Sequence, residues 1–337
     1  MASALLCYGF KKIAPKLCLT DSAKNNNRKH HSGAPAQVGG LGIIITFFAV
    51  ILAFIPVSFD PVPLLMGTGL LLLLGVYDDS HHIPVVPKLL TQIMIVVSVV
   101  FLWGFTLENL GQITNGNNVL ALSSTIAPIV TGVCILAFIN AYNLIDGLDG
   151  LAGGLASIIL TIMVCIALSG GLYSIAFIIG IFIASLVGFL TFNMRHPFQK
   201  RASIFLGDGG SLSIGFMISW SAIMLGNAYA FNQDVLPPPI VYAFLLAYPI
   251  YDMIAVMITR ALKRKSIFTP DNLHLHFLLK DKGLSDGQVC WLLILFAIIY
   301  SAIGLLGDYF GLSQLSLALL WCVIIPCHLA IYRYAQK

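Results

Sequence analysis

Ten apolar stretches punctuate the chain, at residues 40–57, 63–77, 89–105, 126–144, 155–168, 172–192, 212–226, 239–259, 289–306 and 315–334. Their apolar positions recur at helical spacing or run unbroken, without the strict alternation of a barrel strand. A span needs roughly 20 apolar residues to cross about 30 Å of hydrocarbon. Shorter stretches suffice where an end is buried in protein or lines a polar cavity. The pattern predicts an all-α polytopic membrane protein with about ten transmembrane helices in one integral-membrane domain. Residues 1–39 read as an N-terminal segment and entry loop, 40–334 as the helical bundle, and 260–288 as a basic loop. Residues 1–10 are mildly apolar and lack a cleavage-site pattern, so a short, truncated or interfacial helix is expected there.

Composition narrows the class. Of 337 residues, 58% are apolar and 9% are charged, and mean hydropathy is +0.93. Soluble domains carry roughly 25% charged residues. A soluble enzyme, a nucleic-acid binder and a disordered chain are therefore excluded. The seven cysteines show no CxxC spacing, and most lie in apolar runs (Cys134, Cys165, Cys290, Cys322, Cys327), which predicts small buried hydrophobes instead of disulfides or zinc ligands.

Charge position sets the expected orientation. All 18 Lys and Arg residues fall before the first stretch, in alternate loops, or at the C-terminal end. The intervening loops hold none, only Asp60, Glu108, Asp234 and Asp308. By the positive-inside rule the basic side is the cytoplasm.

Ionisable residues at the ends of apolar spans are candidate functional groups, and four clusters gather on that basic side. Gly75-Val76-Tyr77-Asp78-Asp79 ends the second stretch, and Lys88 follows nine residues later. Adjacent carboxylates at a membrane boundary repel unless a cation compensates, and Lys88 is placed to fold back toward them. Next comes the run from Asn140 to Gly154, where Asn140, Asn143, Asp146 and Asp149 recur every three residues as a slowly turning helical stripe. Gly147, Gly150, Gly153 and Gly154 let the backbone unwind and approach a ligand. This density of oxygen ligands suits a hard cation such as Mg²⁺. The spacing and the missing closing Glu exclude an EF-hand. Gly207-Asp208-Gly209-Gly210-Ser211 opens the seventh stretch as a candidate phosphate cradle at a helix start, with Asp208 beside it to hold a metal. It is not a P-loop. Last, Arg260, Lys263, Arg264 and Lys265 precede Pro270-Asp271-Asn272-Leu273-His274-Leu275-His276. His274 and His276 lack the i, i+4 spacing of a helical zinc pair, and with Arg260 they suit a polyanionic substrate. Asp252 lies about 12 Å deeper at helical rise, a candidate buried partner. His328 reads as a hydrogen-bonded packing residue.

Together these clusters resemble the polyprenyl-phosphate N-acetylhexosamine-1-phosphate transferases, in order and at similar spacing from about Lys11 to Ser285. The NxxNxxDGxDGLxGG pattern from Asn140 to Gly154 is the most specific part, and the GDGGS segment and the Asp78-Asp79…Lys88 set add to it. Within the family the WecA type is nearest, through Arg28-Lys29-His30-His31 with Pro35 and Val38-Gly39-Gly40, and through Ser266-Ile267-Phe268-Thr269-Pro270-Asp271. Two departures bear on sugar choice: His274-Leu275-His276-Phe277 lacks one WecA-type histidine, and Leu278 stands where the MraY type has Glu.

The resemblance implies a membrane enzyme of the bacterial cytoplasmic (inner) membrane with its active site on the cytoplasmic face. It would transfer N-acetylglucosamine 1-phosphate from UDP-N-acetylglucosamine to undecaprenyl phosphate. UMP would leave, and the lipid product would start O-antigen, common-antigen or teichoic-acid type polysaccharides. It also implies Mg²⁺, or Mn²⁺ in its place, on Asn143 and Asp208. Asp78 and Asp79 would position or deprotonate the lipid phosphate, Lys88 would neutralise phosphate charge, and Asp146 and Asp149 would organise the nucleotide-sugar side. Asn140, Gly147, Gly150, Gly207, Ser211, Arg260, His274 and His276 would bind substrate. The expected partners are undecaprenyl phosphate, a UDP-N-acetylhexosamine and membrane lipid, with a homodimer compatible and no nucleic acid. Direct displacement is expected, because no nucleophile for a phospho-enzyme stands out.

Other readings stay open at this stage. Within the family, the donor is another UDP-N-acetylhexosamine or UDP-MurNAc-pentapeptide. Outside it, an intramembrane aspartyl protease would use Tyr77-Asp78 and Gly207-Asp208, but Phe205 stands where that motif needs Gly. A transporter would gather polar residues at the midplane of repeated halves, a pattern this chain lacks.

Overall fold

The computed structural model describes residues 1–20, 35–54, 60–113, 119–195, 199–268 and 271–336. The run Arg28-Lys29-His30-His31 and residues Thr269 and Pro270 lie outside them. Thirteen helices are described: α1 (Ala2–Ile13), α2 (Gly39–Phe54), α3 (Val62–His81), α4 (Val85–Val97), α5 (Ile126–Leu144), α6 (Leu151–Ser169), α7 (Tyr173–Asn193), α8 (Gly207–Ala228), α9 (Pro239–Leu245), α10 (Ala247–Leu262), α11 (Leu275–Asp281), α12 (Asp286–Tyr309) and α13 (Gln314–Gln336).

Among the described residues, each predicted stretch falls mainly on helix, and the chain is an all-α polytopic membrane protein. Among the described residues, eight helices are long and apolar enough to cross a membrane, counting α4 with the π-turn Ser98–Leu102 that extends it. The number is nine when α9 and α10 are taken as one span bent by 67°. The stretch read at residues 239–259 is thus a broken helix. The bend has a local cause. Pro249 has no amide hydrogen for the carbonyl of Leu245, so the ladder breaks where α9 meets α10. α2 has only 16 described residues.

α8 is the axis of the bundle, buried along most of its length. Its neighbours reach it through glycines. A Cβ on Gly75 of α3 would lie 2.1 Å from the amide nitrogen of Gly209, and one on Gly40 of α2 would lie 2.4 Å from that of Gly210. With so little room for side chains, the helices meet backbone to backbone, as small residues permit inside a membrane. Buried hydroxyls are satisfied locally or across this seam, for example Ser213 Oγ donating to the carbonyl of Thr68 at 2.9 Å.

Three details go beyond the sequence reading or depart from it. α1 packs on α2 and α7, where Cys7 meets Gly42 and Ser3 meets Gly188. A short parallel strand pair, β1 (Ala36–Gln37) with β2 (Ile204–Phe205), braces the end of the bundle where α8 begins. Cys134, Cys165, Cys322 and Cys327 are exposed on the bundle's outer surface instead of buried, and all seven thiols are free. An apolar outer face in lipid admits a thiol as readily as a core does.

Candidate functional site

The C-terminal ends of α3, α5, α7 and α10 meet the N-terminal ends of α4, α6, α8 and α12 at one end of the bundle. α3 closes on His82 in the left-handed conformation, and Pro84 then starts α4. This tight reversal brings Lys88, in the first turn of α4, back over the end of α3. Its ammonium lies 2.8 Å from Asp78 Oδ2 and also pairs with Asp208 Oδ2. The other oxygen of Asp78 accepts the amide of Ile83 at 2.6 Å. On the far side of Asp208, Asn143 Nδ2 donates to Asp208 Oδ1 at 3.0 Å and to Ser211 Oγ at 2.8 Å. Thus Asp78, Lys88, Asn143, Asp208 and Ser211 form one cluster drawn from four helices.

Asp79 turns the other way. Its Oδ1 accepts the amide of Asp208 at 3.1 Å, so a carboxylate from α3 caps the N-terminus of α8. Oδ2 is buried with no partner among the described residues. This corrects the reading of Gly207–Gly210 as an open phosphate cradle. Gly207 has φ +77, and a Cβ there would lie 2.6 Å from Asp79 Oδ2. Gly209 and Gly210 are pressed against α3 and α2. The chain's own carboxylate occupies the anion position, and the glycines serve close packing.

The Asn140–Gly154 run is not one helical stripe. α5 ends at Leu144, so Asn140 and Asn143 are on a helix while Asp146 and Asp149 sit in the turn before α6. Gly150 makes the turn with φ +82, and its amide donates to Asn193 Oδ1 at 2.8 Å. Asn140 Nδ2 donates to Gln92 Oε1 at 2.8 Å, one turn below Lys88, and so joins α5 to α4. Burial and the charges of Asp208 and Asp149 push the carboxyl of Asp146 up to about 8. Asp149 is drawn to another set of partners. Its Oδ2 accepts Arg195 Nε at 2.8 Å and the amide of Ala202 at 3.1 Å, and Arg195 also reaches Asp286 at 2.5 Å.

The histidines approach from α11. His276 is fully buried, and burial holds its imidazole down at about 3, so it is neutral. Its Nε2 faces Gly147, where a Cβ would come within 2.2 Å. His274 stacks on His276, with ring centroids 5.8 Å apart. Arg260 does not offer a free guanidinium. It forms a fork with Asp271 at 3.0 and 2.8 Å and donates to the carbonyl of Ile267 at 2.6 Å. A planar fork matched to a carboxylate is a strong structural tie, so Arg260 orders the loop that carries the histidines.

Gln92, Asn193, Arg195 and Asp252 have no place among the sequence-derived site residues, save Asp252 as a candidate partner. The signal was polarity inside an apolar run for Gln92 and at the very end of one for Asn193. Arg195 was read only as a topological charge. His328 accepts or donates a bond with Tyr300 at 2.9 Å, as expected of a packing residue.

Two carboxylates, Asp78 and Asp208, on one ammonium leave a surplus of negative charge and hard oxygen donors, which fit a divalent cation. Among the described residues, no three His, Cys, Asp or Glu side chains converge as a preformed metal site. Mg²⁺ commonly takes one or two carboxylates and completes its shell with water and substrate phosphate. In a protease dyad two carboxylates share one proton without an ammonium between them. Here an ammonium pairs with both Asp78 and Asp208.

Residues 61–226 match the family described as Glycosyl transferase family 4. That range holds the whole Asp78–Lys88–Asn143–Asp208 cluster and stops short of the histidines. The undecaprenyl-phosphate alpha-N-acetylglucosaminyl 1-phosphate transferase of Yersinia pestis is 31% identical over 304 residues, covering 88% of this chain and 79% of that protein. The protein of the same name from Escherichia coli (strain K12) is 29% identical over 310 residues, covering 91% and 81%. The one from Salmonella typhi is 31% identical over 303 residues, covering 89% and 79%.

Proposed function

This chain belongs to glycosyl transferase family 4, the phospho-sugar transferases, and from that premise we propose that it transfers N-acetylglucosamine 1-phosphate from UDP-N-acetylglucosamine to undecaprenyl phosphate. The observation that carries the reading is the Lys88 bridge between Asp78 and Asp208 at one end of a membrane bundle, in a chain 31% identical to a relative bearing that name. An oxygen of the lipid phosphate attacks the phosphorus that carries the sugar. The bond from that phosphorus to the bridging oxygen breaks, UMP leaves, and a lipid-linked pyrophosphoryl sugar forms. The lipid phosphate is already ionised, so it needs no protein base.

The residues present divide the work. Lys88 lowers the charge repulsion between two approaching phosphates. Asp78 anchors Lys88 and the turn after α3 through Ile83. Asp79 holds the first turn of α8, and so the backbone of Asp208, in place. Asn143 and Ser211 orient the Asp208 carboxylate. Asp208 and Asn143 are the residues that would hold Mg²⁺, or Mn²⁺ in its place, and the bound cation would neutralise the diphosphate and the departing UMP. Asp146 and the neutral His276, which faces the turn at Gly147, are assigned to the nucleotide-sugar donor. The basic end of the bundle faces the cytoplasm of a bacterial inner membrane, where the nucleotide sugar is found.

The test is UMP release by the purified chain in detergent, with undecaprenyl phosphate and UDP-N-acetylglucosamine, with and without Mg²⁺. Lipid-dependent, Mg²⁺-dependent UMP that is lost in Asp208→Ala is the expected result. UMP from another UDP-N-acetylhexosamine alone would change the donor. No UMP from any such donor would overturn the reading.

A further inference from the structure

Asp252 sits on α10, fully buried, and both its oxygens are spent on one short segment. Oδ2 lies 2.7 Å from Nδ1 of His274, and Oδ1 accepts the amide of Leu275 at 2.9 Å. Eight residues on, just over two helical turns, Arg260 grips the other end of the same segment through Asp271. α10 thus holds residues 271–275 at two points. A pair of opposite charges tied to one rigid helix leaves the histidine segment little freedom of its own.

A carboxylate only accepts hydrogen bonds. The ring nitrogen it faces therefore carries the hydrogen, and the other nitrogen, Nε2, is the one left for a ligand. Nε2 of His274 is buried and has no partner among the described residues. Beside it, stacked at 15°, is His276, whose own Nε2 faces the Asp146–Gly150 turn at Gly147. Lys88, by contrast, serves the Asp78 and Asp208 side.

We infer that Asp252 is a positioning residue for the transfer reaction, fixing the tautomer of His274 so that Nε2 contacts the nucleotide-sugar donor and not the lipid. The inference rests on the transferase reading above. An Asp252→Asn change keeps the shape but replaces one accepting oxygen by a donating NH₂. That group can donate to Nδ1 and shift the ring hydrogen to Nε2, inverting what the donor substrate meets.

The full-length chain in detergent supports a double-mutant cycle. Asp252→Asn, His274→Asn and the double variant are compared, with KM measured for each substrate separately and thermal midpoints recorded without ligand. His274→Asn retains an N–H for Asp252 but has no Nε2. The expected result for Asp252→Asn is a rise of about 10- to 100-fold in the donor KM, the usual scale for losing a residue that orients a ligand group. The lipid KM is unchanged, and the double variant is no worse than His274→Asn alone. Additive effects, equal rises in both KM values, or a lowered midpoint with unchanged kinetics would overturn the inference. If Asp252→Asn does not fold, nitrogen-15 NMR of the wild type, with His274→Asn to assign the signal, decides: a His274 ring with its hydrogen on Nδ1 is expected, and one with the hydrogen on Nε2 overturns the inference. A wild type inactive with every UDP-N-acetylhexosamine would instead sink the transferase reading, so the two failures are distinct.

Discussion

Lys88 faces two carboxylates from the first turn of α4, and both depend on it for neutralisation. Replacing it by Met leaves Asp78 and Asp208 close together with no cation between them. Loss of one preorganised charge at a site of this kind costs about 10²–10³-fold in turnover. Lys88→Met is therefore expected to lose kcat/KM on that scale in the UMP-release assay. A variant within threefold of wild type would place Lys88 outside the chemistry. The candidacy of Lys88 was legible from chain position, because Pro84 and Pro87 lie between Asp79 and Lys88 and favour a reversal there. Its pairing with Asp208 was not, since 120 residues separate the two. The same limit applies to Arg260, whose charge read as a substrate ligand until Asp271 was found against it.

Among elements, the contact between α3 and α8 positions the cluster. Gly75 and Gly209 let the two backbones touch, and that approach lets Asp79 reach the amide of Asp208. A methyl on Gly75 would meet backbone atoms of Asp208 and Gly209 within 2.4 Å, where no side chain can swing away. Overpacking of this kind costs about 1–3 kcal/mol. Gly75→Ala is expected to lower the thermal midpoint and the activity together, while Gly180→Ala, on a helix with open space around it, leaves both intact. Equal activities would show that the helices can part without disturbing Asp208. Helix periods in the sequence located these elements to within a few residues. The glycines were misread as a cradle because a glycine at a helix start serves a bound anion and a close neighbour equally well. The turn at Asp146–Gly150 was blurred for a related reason: a three-residue recurrence of Asn and Asp fits a helix until Gly150 breaks it.

For the whole molecule, the segregation of every Lys and Arg to one side predicts topology. Green fluorescent protein fused after the last residue should fluoresce, whereas alkaline phosphatase fused there should be inactive. Phosphatase inserted after Asn232, in the loop between α8 and α9, should be active. The reverse pattern would put the site on the wrong side of the membrane for a cytoplasmic donor. The apolar stretches and the sorted charges were enough to define a membrane bundle with its four polar clusters at one end. Lipid offers no partner for a bare backbone, so apolar runs must become helices, and charges must collect where water begins. The pairings within that end came only from the fold: Lys88 with Asp208, Asp79 on the start of α8, Asp252 under His274, Arg195 across Asp149 and Asp286. Each joins residues on different helices or far along the chain. Spacing along a sequence carries no information about which oxygen faces which nitrogen once helices pack, because that choice belongs to crossing angle and close approach.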